Sequence, residues 1–499
     1  MKAEVIDMGV EKSNTVPEEL KKRFKFLTTQ ELREMRFLSQ KVRNIIALGI
    51  FGTANAVIIA FIIAYFNHRY LQEFLGLSSE LAETIFSYSI AAGSLGFLGT
   101  VIIGGAFSDD FRSKYGARAP YILGGSLLAG IMLLLTPIFV GTASEDLMII
   151  LFPLCFFLIY VGLGLASSPH GALLSELFTK EQRGWVGLVL AGFTILGSLV
   201  GLVFFDLITN ILLNIADVFQ LSFLAEFGLF LFPALIIIVT GILVFILVEK
   251  ANPPFPPIDS PITDIIHTPR YLLNFSGSDF GKMFFVQSFW GFASEAVALY
   301  LIIHLIAAGL PEGDAPVALL VTGLVSAAMA IPAGLFIQKF GKVKTAIVGS
   351  LIYSGFCFLL AGIEIGNYYQ IFLVIAAIGG FGAVFIEAVR ASLPADLVPE
   401  GKEAQFMGIN KFGSLWTQPF VAVLGGFLLT LLGDWQYSFT AIMFLLAGIA
   451  SFIATVLLFL ISYEKLVRDE YRKFYKRYLS ARGFVEGKIN GILDEIIQS

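Results

Sequence analysis

The sequence GGAFSDDFRSKYGARAP, from Gly104 to Pro120, lies between two long apolar runs and decides how the rest of the chain is interpreted. Proline suits the first turn of a helix, because an N–H at that position has no partner within the helix. The stretch therefore predicts a tight turn between two membrane helices. A turn this short brings its charged side chains within salt-bridge reach of one another; they are Asp109, Asp110, Arg112, Lys114 and Arg118.

A weaker copy of this stretch reads GLFIQKFGKVK, from Gly334 to Lys344. Gln338 follows Gly334 at the same spacing as Asp109 follows Gly105, so an amide replaces the acid. The copy predicts that the chain consists of two similar halves. Two further pairs align in the same order, Asn55 with Glu295 and Glu176 with Asp396.

The composition is that of a membrane protein. Of 499 residues, 57% are hydrophobic and 14% are charged, whereas a soluble domain has about 25% charged residues. The net charge of -5 gives no sign of nucleic-acid binding, so we expect no nucleic-acid partner. Two cysteines within apolar runs, and no metal-ligand or phosphate-loop spacing, lead us to expect no metal site, no cofactor and no nucleotide drive.

A helix needs about 20 apolar residues to cross the hydrocarbon core of a membrane. Twelve runs of the sequence meet this requirement. The predicted fold class is an all-α membrane protein with twelve transmembrane helices in two six-helix halves. The predicted spans are 45–67, 84–106, 120–141, 147–170, 185–211, 224–248, 282–308, 316–338, 345–364, 369–393, 406–432 and 437–462.

These spans divide the chain into five parts: a tail 1–44, a first half 45–248, a proline-containing linker 249–281, a second half 282–462 and a tail 463–499. The last tail is charged and aromatic, which is typical of a helix lying on the membrane surface. The N-terminus lacks the pattern of a cleavable signal peptide.

The orientation follows from the basic residues, since cytoplasmic loops are enriched in Lys and Arg. With twelve spans, every Lys and Arg except Arg69 falls on or near one side. We therefore expect a multi-pass protein of the cell membrane with both termini in the cytoplasm.

The loop motif from Gly104 to Pro120 carries a specific family resemblance. The pattern Gly-x2-Ser-Asp…Arg-Ser-Lys-Tyr-Gly-x-Arg-x-Pro resembles the signature loop of the glycoside, pentoside and hexuronide cation symporters, the melibiose-permease-like family, and of the related sucrose transporters. Support comes from FGTANAV in the first span, ALLSEL after the fourth and NKFGSLW in the eleventh. The resemblance runs from about Ile45 to Tyr463, and it implies the major facilitator fold, with parallel six-span repeats and a substrate site between them.

The sequence also departs from the pattern of this family at several positions. Lys411 matches a lysine that the sugar symporters carry, but the positions of their second-span cation-site acids hold Phe97 and Val101. The first-span acid falls at Ala54 and the fourth-span acid at Ser167. These apolar and neutral side chains argue against a sodium-coupled melibiose-type mechanism.

Glu295 is the main candidate for coupling or substrate contact. An ionisable group at bilayer depth costs roughly 2.5 to 3.5 kcal/mol on insertion scales, so it normally faces a cavity or a partner. Its repeat partner Asn55 is also polar. The alternative is a protonated acid bonded to a neighbouring helix.

Other polar and aromatic side chains in the spans remain candidates beside their structural alternatives. Lys411 could instead extend to the membrane edge, and Glu387 and Arg390 could form a structural pair on one helix face. Aromatic side chains in an apolar bundle usually serve packing. The candidates for stacking on and hydrogen-bonding a sugar ring are Gln287, Trp290 and Tyr300.

The sequence thus predicts a secondary transporter that moves a small hydrophilic solute, a sugar or a glycoside, by alternating access. We expect it to couple transport to protons and to act as a monomer in the bilayer. The loop residues Asp109, Asp110, Arg112 and Arg118 are expected to form a conformational latch. The alternatives are an exporter or a lipid or drug transporter of the same fold, and from another class a multispanning membrane enzyme or sensor. The absence of a nucleophile motif and of a soluble signalling domain favours a transporter over an enzyme.

Overall fold

The computed structural model describes residues 29–62, 70–71, 75–140, 143–219, 222–250, 261–262, 265, 279–307, 309, 315–362, 369–398, 402–432 and 436–461. Arg69, most of the linker 249–281 and the tail 463–499 lie outside these residues, so the predictions made for them stay predictions. The chain divides into two compact units, Met1–Asn44 and Ile45–Ser499. In the first unit, residues 29–44 are described and helical.

Long helices make up nearly all of the described chain. We call α1 to α6 the first half and α7 to α13 the second half. The first half contains α1 Thr29–Ala60, α2 Ser79–Asp110, α3 Ala119–Val140, α4 Glu145–Leu177, α5 Lys180–Phe219 and α6 Ser222–Leu247. The second half contains α7 Asp279–Ala307, α8 Ala315–Phe340, α9 Lys342–Gly362, α10 Tyr369–Leu397, α11 Glu403–Leu415, α12 Thr417–Leu432 and α13 Gln436–Phe459.

Within the described residues, nine helices are long and apolar enough to cross a membrane, and α8 makes a tenth if its two segments, bent by 46° beside Pro332, count as one span. The two other predicted spans are α7 and the pair α11 and α12. Helix α7 carries Gln287 and Glu295 among its apolar residues, and this lowers its hydropathy. Polar side chains inside a membrane span are costly, so Gln287 and Glu295 need a functional explanation.

The predicted span 406–432 is divided in the structure, because α11 ends at Leu415 and α12 begins at Thr417. Pro419 accounts for the break. A proline ring clashes with the carbonyl four residues before it and cannot donate the helical hydrogen bond, and that carbonyl belongs to Leu415. The turn at Trp416 therefore follows from the sequence.

The two halves repeat one packing scheme. In the first half, α4 packs on α2 and α3, and α3 packs on α6; in the second half, α10 packs on α8 and α9, and α9 packs on α13. Contacts between the halves also come in pairs, with α2 on α11 matched by α8 on α5, and α4 on α11 matched by α10 on α5. The duplication inferred from three short alignments thus extends to how the helices pack.

Small residues allow the closest approaches, as is common between membrane helices. A Cβ added at Gly105 of α2 would lie 2.5 Å from the Ala404 carbonyl oxygen of α11, and one at Gly408 would lie 2.6 Å from the Val101 carbonyl oxygen. The backbones of α2 and α11 therefore touch across the two halves. This contact brings the motif loop after α2 against the start of α11.

Candidate functional site: two charged seams and a central polar group

Asp109, at the end of α2, binds the beginning of α11. Its two carboxylate oxygens accept hydrogen bonds from the backbone N–H groups of Ala404, at 3.1 Å, and Gln405, at 2.8 Å. The first N–H groups of a helix have no partners within it, and the helix dipole favours negative charge there. Asp109 is only 1% exposed, so a carboxylate of the first half caps a helix of the second half in a buried setting.

Arg118 compensates the charge of this buried carboxylate. Its guanidinium lies 2.7 Å from Asp109 Oδ1, donates through Nε to Glu176 at 2.8 Å and lies 3.6 Å from Glu403 Oε2. Burial lowers the pKa of Arg118, but the carboxylates of Asp109 and Glu176 raise it by more, so the net pKa lies above its ordinary value. We call Asp109, Arg118, Glu176 and Glu403 the first seam.

The other two predicted latch residues are placed differently. Arg112 donates to the backbone oxygens of Asp109, at 2.6 Å, and Phe111, at 2.9 Å, so these bonds close the end of α2. Asp110 is the last residue of α2. In the described contacts it is therefore Asp109 and Arg118 that reach the second half.

A second set of charges joins the halves beside the first. Asp396, at the end of α10, accepts from Arg183 of α5 at 3.2 Å and from Lys342 at the start of α9. Arg183 also donates to the Ala395 carbonyl at 2.9 Å. We call Arg183, Lys342 and Asp396 the second seam, and we call the end of the bundle that holds both seams the charged end.

Sequence reasoning did not single out Arg183 or Lys342. A signal was available for Arg183, since aligning Glu176 with Asp396 also aligns Arg183 with Glu403. Each of these residues lies in the first turn of a helix and reaches across to the opposite half. The repeat alignment could therefore have predicted both crossings.

A central polar group lies deeper in the helices. Arg390 and Glu387 of α10 form an ion pair at 2.6 Å. Gln287 of α7 holds Arg390 on its other side, since it accepts from Arg390 Nε at 3.1 Å and donates to the Arg390 carbonyl at 2.8 Å. Gln287 is fully buried, so it positions Arg390. We call Gln287, Glu295, Glu387, Arg390 and Lys411 the central group.

Glu295 lies within electrostatic range of Arg390 and of Tyr160, a residue of α4 in the opposite half. Its Oε2 is buried and has no hydrogen-bond partner among the described residues, and the same is true of Oδ1 of Asn55. Buried polar atoms are normally paired, so each exception needs an explanation. The sequence alignment of the two halves pairs these two positions.

Lys411 of α11 also lies near the opposite half. It is within electrostatic range of Glu387 and Arg390 and of His170 in α4. His170 Nε2 is 3.0 Å from the Leu48 carbonyl oxygen; a carbonyl can only accept, so this nitrogen donates. The predicted candidates Glu295, Glu387, Arg390, Gln287 and Lys411 are thus brought together.

The aromatic candidates have other partners. Trp290 is 2% exposed and donates from Nε1 to Ser350 Oγ at 2.7 Å, which ties α7 to α9. Tyr300 donates to the Val421 carbonyl at 3.3 Å, which ties α7 to α12. Both side chains serve helix packing here, and stacking on a sugar ring by either of them stays a prediction.

Comparison with known proteins agrees with this architecture. Residues 283–485 match the model of the family described as Major Facilitator Superfamily. No curated protein matches the chain significantly.

Solved structures are similar at low sequence identity. The proton:xylose symporter XylE, bound to 6-bromo-6-deoxy-D-glucose, is 14% identical with a TM-score of 0.62, over 85% of this chain and 95% of that one. A variant of the E. coli fucose:proton symporter FucP is 16% identical with a TM-score of 0.59, over 84% and 98%. A bacterial homologue of the iron transporter ferroportin is 12% identical with a TM-score of 0.63, over 84% and 98%. The predicted fold class is confirmed: the chain has the all-helical fold of the major facilitator superfamily.

Proposed function

We propose that this protein is a secondary transporter of the cell membrane that moves a small hydrophilic solute, a sugar or a glycoside, together with protons. The fold supports a transporter over a membrane enzyme, and two of the similar structures are, by their descriptions, sugar:proton symporters. Those neighbours differ from this chain at more than four positions in five, so the proposal depends on the residues of the central group.

Two unpaired buried oxygen atoms are the main support for this proposal. Glu295 Oε2 and Asn55 Oδ1 are buried acceptors without partners among the described residues, and they come from equivalent spans of the two halves. Leaving a buried acceptor unpaired costs about 1 to 3 kcal/mol. Hydroxyl groups of a bound solute would satisfy such acceptors. In this fold class, solutes bind near the midplane between the repeats.

Glu295 is the residue that we propose for proton coupling. A carboxyl group can carry one proton through a transport cycle, and the acids that the resemblance implies for a cation site are replaced by Phe97 and Val101. Arg390, which is in electrostatic range of Glu295, is already paired with Glu387. The carboxyl group of Glu295 is therefore free to gain and lose a proton as the solute binds and leaves.

The two seams supply the conformational part of the mechanism. They join the halves at the charged end, which we place in the cytoplasm because Lys and Arg are concentrated there. Access to the central group from the cytoplasm requires these bonds to break. Charge pairs that exist in one conformation alone shift the equilibrium toward it, so the seams favour the state closed at the charged end.

The test is uptake by purified protein in proteoliposomes under an imposed pH gradient, with radiolabelled sugars and glycosides. Glu295→Gln keeps the size of the side chain but cannot be ionised. We expect it to abolish accumulation driven by the pH gradient while it preserves counterflow exchange, which needs no net proton movement. Glu145→Gln, at an exposed carboxylate that begins α4, is the matched control and should accumulate solute normally.

Two results would contradict the assignment. Normal accumulation by Glu295→Gln, with unchanged affinity, would make Glu295 a structural acid. Accumulation that follows a sodium gradient in place of a pH gradient would exclude proton coupling. The same vesicles distinguish the alternatives left open by the sequence, since an exporter or a lipid or drug transporter would not concentrate a hydrophilic sugar.

A further inference from the structure

The loop between α2 and α3 contains a tight turn with a lysine and a tyrosine at its tip. The Gly116 N–H donates to the Ser113 carbonyl at 3.1 Å, which closes a four-residue turn around Lys114 and Tyr115. The Ser113 hydroxyl accepts from the Tyr115 N–H at 3.1 Å and donates to the Gly116 carbonyl at 2.7 Å. Gly116 has φ 85°, a left-handed conformation that glycine adopts at no steric cost. The turn therefore holds Lys114 and Tyr115 in place, and both side chains are exposed.

Two ammonium groups lie beside the ring of Tyr115. Lys114 Nζ is 5.0 Å from the ring centroid, and Nζ of Lys250, which follows the end of α6, is 5.4 Å from the same centroid. A cation within about 6 Å of an aromatic ring centroid is attracted by the ring. The ring also packs against Phe245 of α6, with the two centroids 5.4 Å apart. Tyr115 thus joins the turn to the end of α6 and brings the two lysines to one place.

Neither lysine forms an ion pair with a carboxylate among the described residues. Several other cations of the charged end are held by acids, since Arg118 binds Asp109 and Lys282 binds Asp279. Glu249 precedes Lys250 in the chain and is exposed. Two like charges beside one ring repel each other, so an anion between them would be stabilised by both.

Exposed apolar side chains lead to this pair of lysines. On α2 and its cap, Ile103, Phe107 and Phe111 are spaced four residues apart, so they share one face, and all three are exposed. On α6, Ile242 and Ile246 have the same spacing and are exposed as well. Aromatic and basic side chains at the ends of membrane helices are typical of the level of the lipid headgroups. The lysines therefore lie at the polar edge of two faces suited to acyl chains.

We propose that Lys114, Lys250 and Tyr115 form a binding site for the phosphate of an anionic phospholipid at the membrane surface of the charged end. An ammonium group offers three donors on a flexible stem, so both lysines can turn toward one phosphate. The apolar faces of α2 and α6 favour a lipid over a soluble anion, because they accept its acyl chains. The site lies outside both seams and the central group, so this inference does not depend on which solute is transported.

The probe is phosphatidylglycerol with a fluorescent label on one acyl chain, titrated into the purified protein in a non-ionic detergent. Phosphatidylcholine with the same label is the comparison lipid. One lysine beside an anionic lipid contributes about fivefold in affinity. We therefore expect phosphatidylglycerol to bind at least about tenfold more tightly than phosphatidylcholine, and the double variant Lys114→Gln, Lys250→Gln to bind phosphatidylglycerol about 25-fold more weakly.

The equivalent loop of the second half supplies a matched control. Lys339 is also exposed, and its Nζ lies 5.3 Å from the ring centroid of Phe340. In the part of the chain that the structure describes, this is the one ammonium group beside that ring. Lys339→Gln should leave the affinity for phosphatidylglycerol within about twofold, because a single lysine beside a ring lacks the second charge.

Three further variants separate charge from shape. The double variant Lys114→Arg, Lys250→Arg keeps both charges and should keep the preference for phosphatidylglycerol, which shows that the loss with glutamine is not a loss of folding. Tyr115→Phe keeps the ring and should bind normally, whereas Tyr115→Ala should weaken binding. Glu249→Gln should strengthen binding, because it removes a negative charge next to Lys250.

Each remaining outcome counts against the site. Equal affinity for the two lipids, or a preference that survives the double glutamine variant, would overturn it. An equal loss with Lys339→Gln would show a general attraction to the charged end and no particular site. Displacement of the labelled lipid by an equal concentration of inorganic phosphate would assign the lysines to a soluble anion, whereas retention of the lipid would support the proposal.

Discussion

The two copies of the loop motif occupy equivalent positions in the two halves but make different contacts. In the first copy, Asp109 is 1% exposed and caps α11 across the halves. In the second copy, the equivalent Gln338 is exposed, and Lys342 binds Asp396, the residue aligned with Glu176. The pair that crosses the halves there is Arg183 with Asp396. The repeat has kept the geometry of the crossing but not the residue that makes it.

The two seams also have opposite charge balance. The first seam places three carboxylates around the single cation Arg118, and part of their charge is met by the N-terminus of α11. The second seam places two cations around the single carboxylate Asp396. Among the described contacts, the first seam depends on a buried arginine and a helix end, whereas the second has two side-chain cations on one carboxylate.

The largest expected effect follows from this imbalance. Arg118→Ala removes the guanidinium that pairs with the buried carboxylate of Asp109 and with Glu176, and removing one partner of a buried ion pair costs about 3 to 5 kcal/mol. Arg183→Ala leaves Lys342 on Asp396, so its cost should be smaller. Thermal unfolding of the two purified variants measures the difference, and equal destabilisation would contradict the contrast between the seams.

An intermediate effect is expected at the helix cap. Asp109→Asn keeps one acceptor oxygen for α11 but loses the charge that binds Arg118 and the helix end. Transport should slow, while the equilibrium affinity for the solute stays within about tenfold, or about 1.4 kcal/mol. The matched change in the second copy, Gln338→Ala, should leave the transport rate within about twofold because the side chain is exposed. Loss of binding by a folded Asp109→Asn variant would show that the seam belongs to the binding site.

Much of this fold could be predicted from the sequence, because the length of an apolar run has a direct physical cause, the thickness of the membrane. The division of the eleventh span at Trp416 could also have been predicted, since Pro419 removes the hydrogen bond that would continue α11. The prediction of one continuous span there was wrong because it did not consider this proline. The motif loop likewise indicated Asp109 and Arg118 correctly as neighbours in space.

The partners of these residues were harder to predict. Asp109 binds backbone N–H groups of Ala404 and Gln405, and a backbone donor leaves no signature in residue identity. Trp290 resembled a sugar-stacking residue, but its indole N–H is paired with Ser350, a contact that depends on how α7 packs on α9. Pairing between distant helices, which decides whether a polar side chain is available to a solute, is set by tertiary packing.

We propose that the seams hold the two halves together at the charged end and release them during transport. Spin labels on Lys180→Cys of the first half and Lys344→Cys of the second half, both at exposed positions, allow the separation to be measured by double electron–electron resonance. We expect one short distance in the unaltered protein and a growing longer-distance population in Asp109→Asn. An unchanged distance distribution in Asp109→Asn, with transport slowed, would contradict the claim.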